Sequence, residues 1–223
     1  MTSASKAPLL EVKQLCHQYI GQKKILDEVS FSIESGDRVA LVGDNGAGKS
    51  TLLQLIVGLI PIQSGEIMVQ SLKATHERDF IKVRTMIGLV FQDPDDQLFC
   101  PSVIEDVMFG PLNQGYSLQD AEQKSLAILE QLQLTHLSQR MASDLSGGEK
   151  RLVTLATVLV MEPKLLLLDE PTNALDDKAQ QRLLSVLRSL EQGMIVISHD
   201  KDFLAQLTDR SLLLKAGKLT ASL

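Results

Sequence analysis

Val39-Ala40-Leu41-Val42-Gly43-Asp44-Asn45-Gly46-Ala47-Gly48-Lys49-Ser50-Thr51 reads as an apolar strand, a glycine-rich loop and the start of a helix that runs over residues 51–59. The loop matches G-x-x-x-x-G-K-[ST] in the strand–loop–helix context that this pattern needs. Gly43, Gly46 and Gly48 let the backbone turn tightly, so that its N–H groups, with those of Asp44, Asn45 and Ala47, face inward. The helix behind the loop, entered through Lys49, Ser50 and Thr51, aims its positive end at the same point. The stretch is therefore expected to bind nucleotide phosphates, with Lys49 reaching the terminal ones and the Ser50 hydroxyl on Mg²⁺. A plain glycine turn between a core strand and a core helix seldom carries all of these flanks.

Composition bounds the rest. The chain has 223 residues and 44% hydrophobic content, enough for one sizeable domain with a subdomain. A formal charge of −6 argues against nucleic acid as the main partner. Cys16 and Cys100 form no metal pattern. Their number admits one bridge, but reduced core thiols suit a cytosolic nucleotide-binding protein better. Residues 1–8 are polar and lack the apolar core of a signal peptide. The most hydrophobic tracts, 52–62 and 152–161, are too short or interrupted to span a bilayer, so any membrane role is peripheral, through a partner.

Strand-like runs occupy residues 9–15, 29–33 and 38–42, then 65–69 and 87–91. The first helix ends near Gly58, and Pro61 stops it. From Gln92 to Pro163 the pattern is helical. Ser102 with Glu105 can cap one helix, apolar spacing marks a second over 118–134, and a third follows Gly147-Gly148. Strand character returns at 165–168 and 194–197 with a helix over 177–190 between them, and short strands are expected at 211–214 and 218–221. Apolar runs of four or five residues alternating with helices indicate an α/β fold with a mainly parallel sheet covered on both faces. The helical insert over about 93–160 is expected as a separate subdomain, leaving 1–92 and 161–223 as the core of a single 1–223 domain.

Leu165-Leu166-Leu167-Leu168-Asp169-Glu170 is a buried strand ending in two carboxylates, at the place where open α/β sheets bind ligands. Asp169 is expected to hold Mg²⁺ through water, and Glu170 to polarise the water that attacks the γ-phosphate. An acidic strand end alone is a weak signal; with the phosphate loop it becomes strong. His199 follows the apolar run 194–197 and Ser198, where contact with the γ-phosphate is possible, although a lone His at a strand end is usually structural. Gln92 also ends a strand, and its amide can sense Mg²⁺ or the attacking water; the bland alternative is a loop glutamine. Leu145-Ser146-Gly147-Gly148-Glu149 is a second glycine-bearing helix start, again an anion site in physical terms. In isolation it would be read as a simple N-cap. Two phosphate-binding helix starts in one chain suggest a nucleotide held between two chains.

Taken in order, these motifs resemble the ATP-binding cassette (ABC) ATPases over residues 10–219. The series is Tyr19, the phosphate loop, Gln92, the signature 145–149, the acidic strand 165–170, Asn173-Ala174-Leu175-Asp176 and His199. The resemblance implies a P-loop NTPase with an antiparallel N-terminal β-subdomain and an inserted α-helical subdomain. It implies that Tyr19 stacks on adenine, and that Ser146 and Gly148, within the signature Ser146-Gly147-Gly148-Glu149, grip the γ-phosphate of ATP held by the opposite subunit. Asp176 would belong to the loop that links the two sites, and His199 would be the switch histidine. ATP and Mg²⁺ are the implied cofactors, and a head-to-tail dimer moving membrane subunits is the implied assembly.

A narrower resemblance lies in Phe91-Gln92-Asp93-Pro94-Asp95-Asp96-Gln97-Leu98-Phe99 and the following Val103-Ile104-Glu105-Asp106-Val107-Met108-Phe109-Gly110-Pro111. These are similar to ATPases of energy-coupling-factor importers for transition-metal ions (cobalt, nickel) or vitamins such as biotin. Pro94 and Phe99 fit a loop under a partner's coupling helix, and Asp93, Asp95 and Asp96 are read as solvated rather than as a metal site. The expected setting is peripheral, at the cytoplasmic face of the inner membrane, with a second ATPase subunit (an identical chain or a paralogue) and integral membrane subunits as partners. The alternatives are the motor of another ABC transporter class, a soluble ABC protein acting on ribosomes or DNA, and a P-loop kinase, which would need no signature. Glu149 stands where Gln is common in the superfamily, Asn173 where Ser or Gly is, and Asp177 where Pro is. The sequence ends at Leu223, short of the C-terminal segment with which many energy-coupling ATPases hold their dimer, which leaves dimerisation without ATP open.

Overall fold

The computed structural model describes residues 7–21 and 23–222. The polar reading of residues 1–8 therefore lies, through Lys6, outside the described residues, as does Leu223. Ten strands and seven α-helices are described: β1 (Leu10–Gln18), β2 (Lys24–Ile33), β3 (Arg38–Val42), α1 (Lys49–Ile56), β4 (Ser64–Val69), β5 (Leu72–Ala74), α2 (Glu77–Met86), β6 (Ile87–Val90), α3 (Val103–Asn113), α4 (Leu118–Gln131), α5 (Gly147–Leu159), β7 (Leu165–Asp169), α6 (Asp177–Ser189), β8 (Gly193–Ile197), α7 (Lys201–Leu207), β9 (Arg210–Lys215) and β10 (Lys218–Ser222). The backbone divides into two compact units. One comprises Met1–Ile87, Lys164–Leu167 and Glu191–Leu223; the other comprises Gly88–Pro163 and Leu168–Leu190.

The N-terminal sheet has the order β2-β1-β4-β5 and is antiparallel throughout. One face of β1 is buried at Leu10, Val12, Leu15 and His17. The spacing from Val12 to Leu15 breaks strict alternation because a bulge intervenes, with Gln14 at φ 47°. The second sheet has the order β10-β9-β3-β8-β7-β6. In it β3 runs parallel to both β8 and β9, while β9 and β10 form an antiparallel hairpin turned through Ala216 and Gly217, both at positive φ. Leu165, Leu166, Leu167 and Leu168 are all 1% exposed or less, which explains why β7 reads as an unbroken apolar run rather than an alternating one.

Three elements escape the apolar pattern. Helix α2 buries only Phe80 and Val83, too thin a stripe to read. It is instead started by a capping box, in which the Asp79 carboxylate accepts from the His76 and Thr75 N–H groups at 3.0 and 3.2 Å. Strand β5 and helix α7 are shorter than any period can mark. Helix α4 stops at Gln131, before the expected end at Leu134, and the chain continues into a 3₁₀ turn at Thr135–Leu137. Asp176 caps α6, with its carboxylate accepting from Ala179 N–H at 2.7 Å, and Asp177 begins the helix.

Candidate functional site

The phosphate loop belongs to the first unit. Its start is fixed by β3, and its end by α1, whose N-cap Gly48 sits at φ 102°. A Cβ at Gly48 would lie 2.9 Å from Ile25 Cγ1, and one at Gly43 would lie 2.3 Å from the Leu214 carbonyl oxygen. Glycine is thus demanded twice, and backbone rather than side chains lines the loop. Among the described α-helices α1 alone carries no acid in its first turn; α2 to α7 each carry at least one. Its positive end is left for an external anion. Lys49 is 9% exposed and donates from Nζ to the carbonyls of Gly43 and Asp44 at 2.8 and 3.0 Å. The ammonium is thus folded back onto the loop, and an arriving phosphate would compete for it.

Tyr19 is 37% exposed, and its hydroxyl lies 3.1 Å from Thr51 Oγ1 on the first turn of α1, which places the ring beside the loop. Behind it the buried His17 ring meets the Tyr19 ring edge-on at 4.8 Å. His199 is exposed and follows β8. The parallel register Ala40↔Val196 carries it to the same carboxyl end of the sheet as Gly43.

The second unit holds the other expected residues. Asp169 ends β7 and is 7% exposed. Glu170 follows at φ 47°, and Ala174 adopts φ 59° four residues on. Left-handed backbone at non-glycine residues costs about 1–3 kcal/mol and gathers where function requires a side chain to be aimed. Within the second unit the amide oxygen of Gln92 and the carboxylate of Asp169 are hard oxygen donors, and in the first unit the Ser50 hydroxyl is another; each is of the type that Mg²⁺ accepts. Among the described residues no cluster of three or more His, Cys, Asp or Glu is arranged to hold a metal ion.

Ser146 caps α5. Its Oγ accepts from Glu149 N–H at 3.3 Å and donates to Glu149 Oε2 at 2.7 Å, while Ser146 N–H donates to the same oxygen at 2.8 Å. The backbone and hydroxyl bonds from Ser146 hold the Glu149 carboxyl below its ordinary range. Gly148 is required by packing, because a Cβ there would lie 2.7 Å from Ala179 Cβ on α6. A cavity of about 490 Å³ in this unit is lined by Gln92, Asp95, Gly147, Lys150, Asn173 and Ala174, among others.

The sequence reading missed the side chains that shape this region. Arg151 is 3% exposed and donates from Nη1 to the Phe91 carbonyl and from Nη2 to the Gln92 carbonyl, both at 2.8 Å. Gln97 accepts from Phe91 N–H at 3.2 Å and donates to Thr154 O and Thr157 Oγ1 at 3.2 and 2.8 Å. One sign was available: a guanidinium opening an otherwise apolar helical run is out of place unless it holds something. Asp106 is 3% exposed, and one of its oxygens accepts from the Phe99 and Cys100 N–H groups at 3.0 and 2.9 Å. Cys16 and Cys100 are free and half-buried rather than in the core. The Cys100 thiol is pushed up to about 11 by burial and then by its bond to Asp106, which keeps it protonated.

No described helix is long and apolar enough to cross a membrane. The family model for ABC transporters matches residues 26–173. A putative ABC transporter ATP-binding protein of Brucella suis is 51% identical over 212 residues, covering 95% of this chain and 88% of that one. The energy-coupling factor transporter ATP-binding protein EcfA of Methanothermobacter thermautotrophicus is 36% identical over 217 residues, covering 96% of this chain and 70% of its own. Among solved structures, cbiO1 of Clostridium perfringens, part of the ABC transporter complex cbiONQ, superposes with a TM-score of 0.83 at 34% identity over 96% of this chain and 87% of that one. An ATP-binding cassette in a dimeric post-hydrolysis state with ADP and Pi superposes with a TM-score of 0.83 at 26% identity over 96% of this chain and 97% of its own. With its phosphate loop, its signature helix start and its acidic strand end, this chain belongs to the ABC transporter family, as one of its ATP-binding, ATP-hydrolysing subunits.

Proposed function

We propose that this chain is the motor of an energy-coupling-factor importer for a transition-metal ion (cobalt or nickel) or a vitamin such as biotin. It would act as a dimer, with an identical or a paralogous chain, on integral membrane subunits at the cytoplasmic face of the inner membrane. The observation that carries this reading is the tract 91–111, whose sequence resembles that of energy-coupling ATPases. The likeness to EcfA and to cbiO1, each over 96% of this chain, supports it.

The chemistry proposed follows from the types of these residues. Amides of Gly43, Asp44, Asn45, Gly46, Ala47 and Gly48 bind phosphate oxygens, and Lys49 trades its bonds to two loop carbonyls for bonds to the terminal phosphates. Ser50, Asp169 and Gln92 would hold Mg²⁺, which offsets phosphate charge when bound. Glu170 takes the proton of the attacking water, and His199 contacts the γ-phosphate. Tyr19 stacks on adenine, and Ser146, Gly147, Gly148 and Glu149 of one chain touch the nucleotide of the other. In this reading residues 93–160 form the helical subdomain and 1–92 with 161–223 the core.

Copurification tests the assignment. The tagged chain is expressed in its own cell, membranes are solubilised gently, and mass spectrometry identifies what is retained. A multi-span scaffold together with a small membrane solute-binding protein is the expected result. A scaffold of another transporter class would overturn the energy-coupling part, and recovery with ribosomal or chromosomal proteins alone would overturn the transport role.

A further inference from the structure

Among the described residues the guanidinium of Arg151 meets backbone carbonyls and no carboxylate within hydrogen-bond distance. It spends its two terminal nitrogens on successive backbone carbonyls, those of Phe91 and Gln92. Burial pushes its pKa down, opposed by the charges of Asp93 and Asp169, so the environment penalises the cation there. An apolar side chain would suit the buried run Arg151 to Leu159 better on packing grounds alone. What the arginine adds is orientation. A planar fork on two adjacent carbonyls fixes both the position and the tilt of the peptide between them, which a single-point donor cannot do. Gln97 completes the hold by taking the Phe91 N–H and bonding to Thr154 and Thr157, about one and two turns along the same helix. On the outside Lys150 meets Asp95 at 2.6 Å. Both polar backbone groups of Phe91 and the carbonyl of Gln92 are thereby tied to side chains of α5 or to Gln97, itself fastened to α5. The Gln92 side chain is exposed.

We propose that Arg151 is the positioning residue that makes the Gln92 tract and the first turn of α5 move as one body. The inference rests on the reading above, in which Gln92 senses the nucleotide of its own chain and Ser146 to Gly148 touch the partner's. Its consequence is that a shift of Gln92 on nucleotide binding is delivered to Ser146, five residues before Arg151 on the same helix. One site thus reports its occupancy to the other through the side chains that tie the tract to α5, with the Arg151 fork setting the orientation.

Hydrogen exchange tests this on the purified full chain, at concentrations where sedimentation shows a monomer, with and without Mg²⁺ and a non-hydrolysable ATP analogue. In the wild type, exchange is expected to change in residues 91–98 and in residues 145–152 together. Arg151→Lys keeps the charge but loses the fork. It should keep the analogue's Kd within about two-fold and keep the response at 91–98, but lose the response at 145–152. Its kcat should fall at least about ten-fold while KM stays within about three-fold. A merely structural role would instead lower the unfolding midpoint and move Kd, KM and kcat together. Coupled responses and wild-type kcat in Arg151→Lys overturn the proposal. Should that variant not fold, Arg151→Gln, which buries no charge, is judged by the same criteria, and failure of both to fold overturns the proposal in favour of a structural role. If the wild type shows no response at 91–98, it is the assignment of Gln92 that fails, not the coupling.

Discussion

Replacing Ser146 with Ala separates what this residue does for the fold from what it does for the reaction. The substitution removes one hydroxyl that accepts the Glu149 N–H at 3.3 Å and donates to Glu149 Oε2 at 2.7 Å. The remaining arm of the capping box, from Ser146 N–H to Glu149 Oε2 at 2.8 Å, survives. The lost cap bond is long, and Ser146 is exposed, so water replaces much of it. The cost therefore falls at the low end for N-caps, about 0.5–1 kcal/mol. For a domain of this size that lowers the unfolding midpoint by about 1–4 °C. If the hydroxyl also donates to a charged phosphate of the partner's ATP, the reaction loses a charge-assisted bond of about 1.5–3 kcal/mol. That corresponds to about a 10- to 150-fold fall in turnover. The assay is steady-state phosphate release at saturating MgATP, alongside equilibrium binding of nucleotide to the isolated chain and thermal unfolding. Turnover should fall while binding to the single chain is untouched. Turnover within two-fold of wild type, with only the small loss of stability, would show that Ser146 is a helix cap and nothing more.

Three further outcomes are expected. Glu170→Gln should keep MgATP binding, lose most turnover and accumulate an ATP-bound dimer, because the amide cannot accept the proton of the attacking water; wild-type phosphate release would sink that role. Leu167→Ala, at a side chain 0% exposed in β7, should cost about 2–5 kcal/mol in chemical denaturation, from lost transfer energy and the residual cavity. Asp79→Asn should destabilise the chain at neutral pH but not in acid. The His76 and then the Thr75 N–H bonds hold the Asp79 carboxyl below its ordinary 3.8, so its contribution is present above that value and is lost as pH falls through the depressed pKa. The gap between wild type and variant in urea melts should therefore close below about pH 4, and a gap that widens in acid would contradict the sign.

Much of the architecture was legible because its signals are local. Strands β3, β7 and β8 announce themselves as apolar runs since both of their faces are covered. The phosphate loop is legible because only glycine tolerates the contacts at Gly43 and the backbone at Gly48, so the spacing of glycines records the geometry directly. Helix α2 was not legible, because two buried residues do not make a period. Its real signal was the capping acid Asp79, which binds backbone and leaves no hydropathy trace.

The residue types proposed for the chemistry, and with them the family, were legible in the sequence alone: Lys49, Ser50, Gln92, Ser146, Asp169, Glu170 and His199 each stand beside a strand end or helix start that local pattern identifies. What only the tertiary structure decided is how those residues are held. The bonds from Lys49 to the loop carbonyls, from Ser146 to the Glu149 carboxylate, from Arg151 to the Gln92 tract and from Gln97 to Thr154 and Thr157 depend on side-chain direction, and the last two join chain segments dozens of residues apart. A hydrogen bond from a side chain to a distant carbonyl selects no residue type at the acceptor, because every residue offers the same carbonyl. For that reason Arg151 is visible in the sequence only as a charge where an apolar residue belongs, and its partners become visible only in the fold.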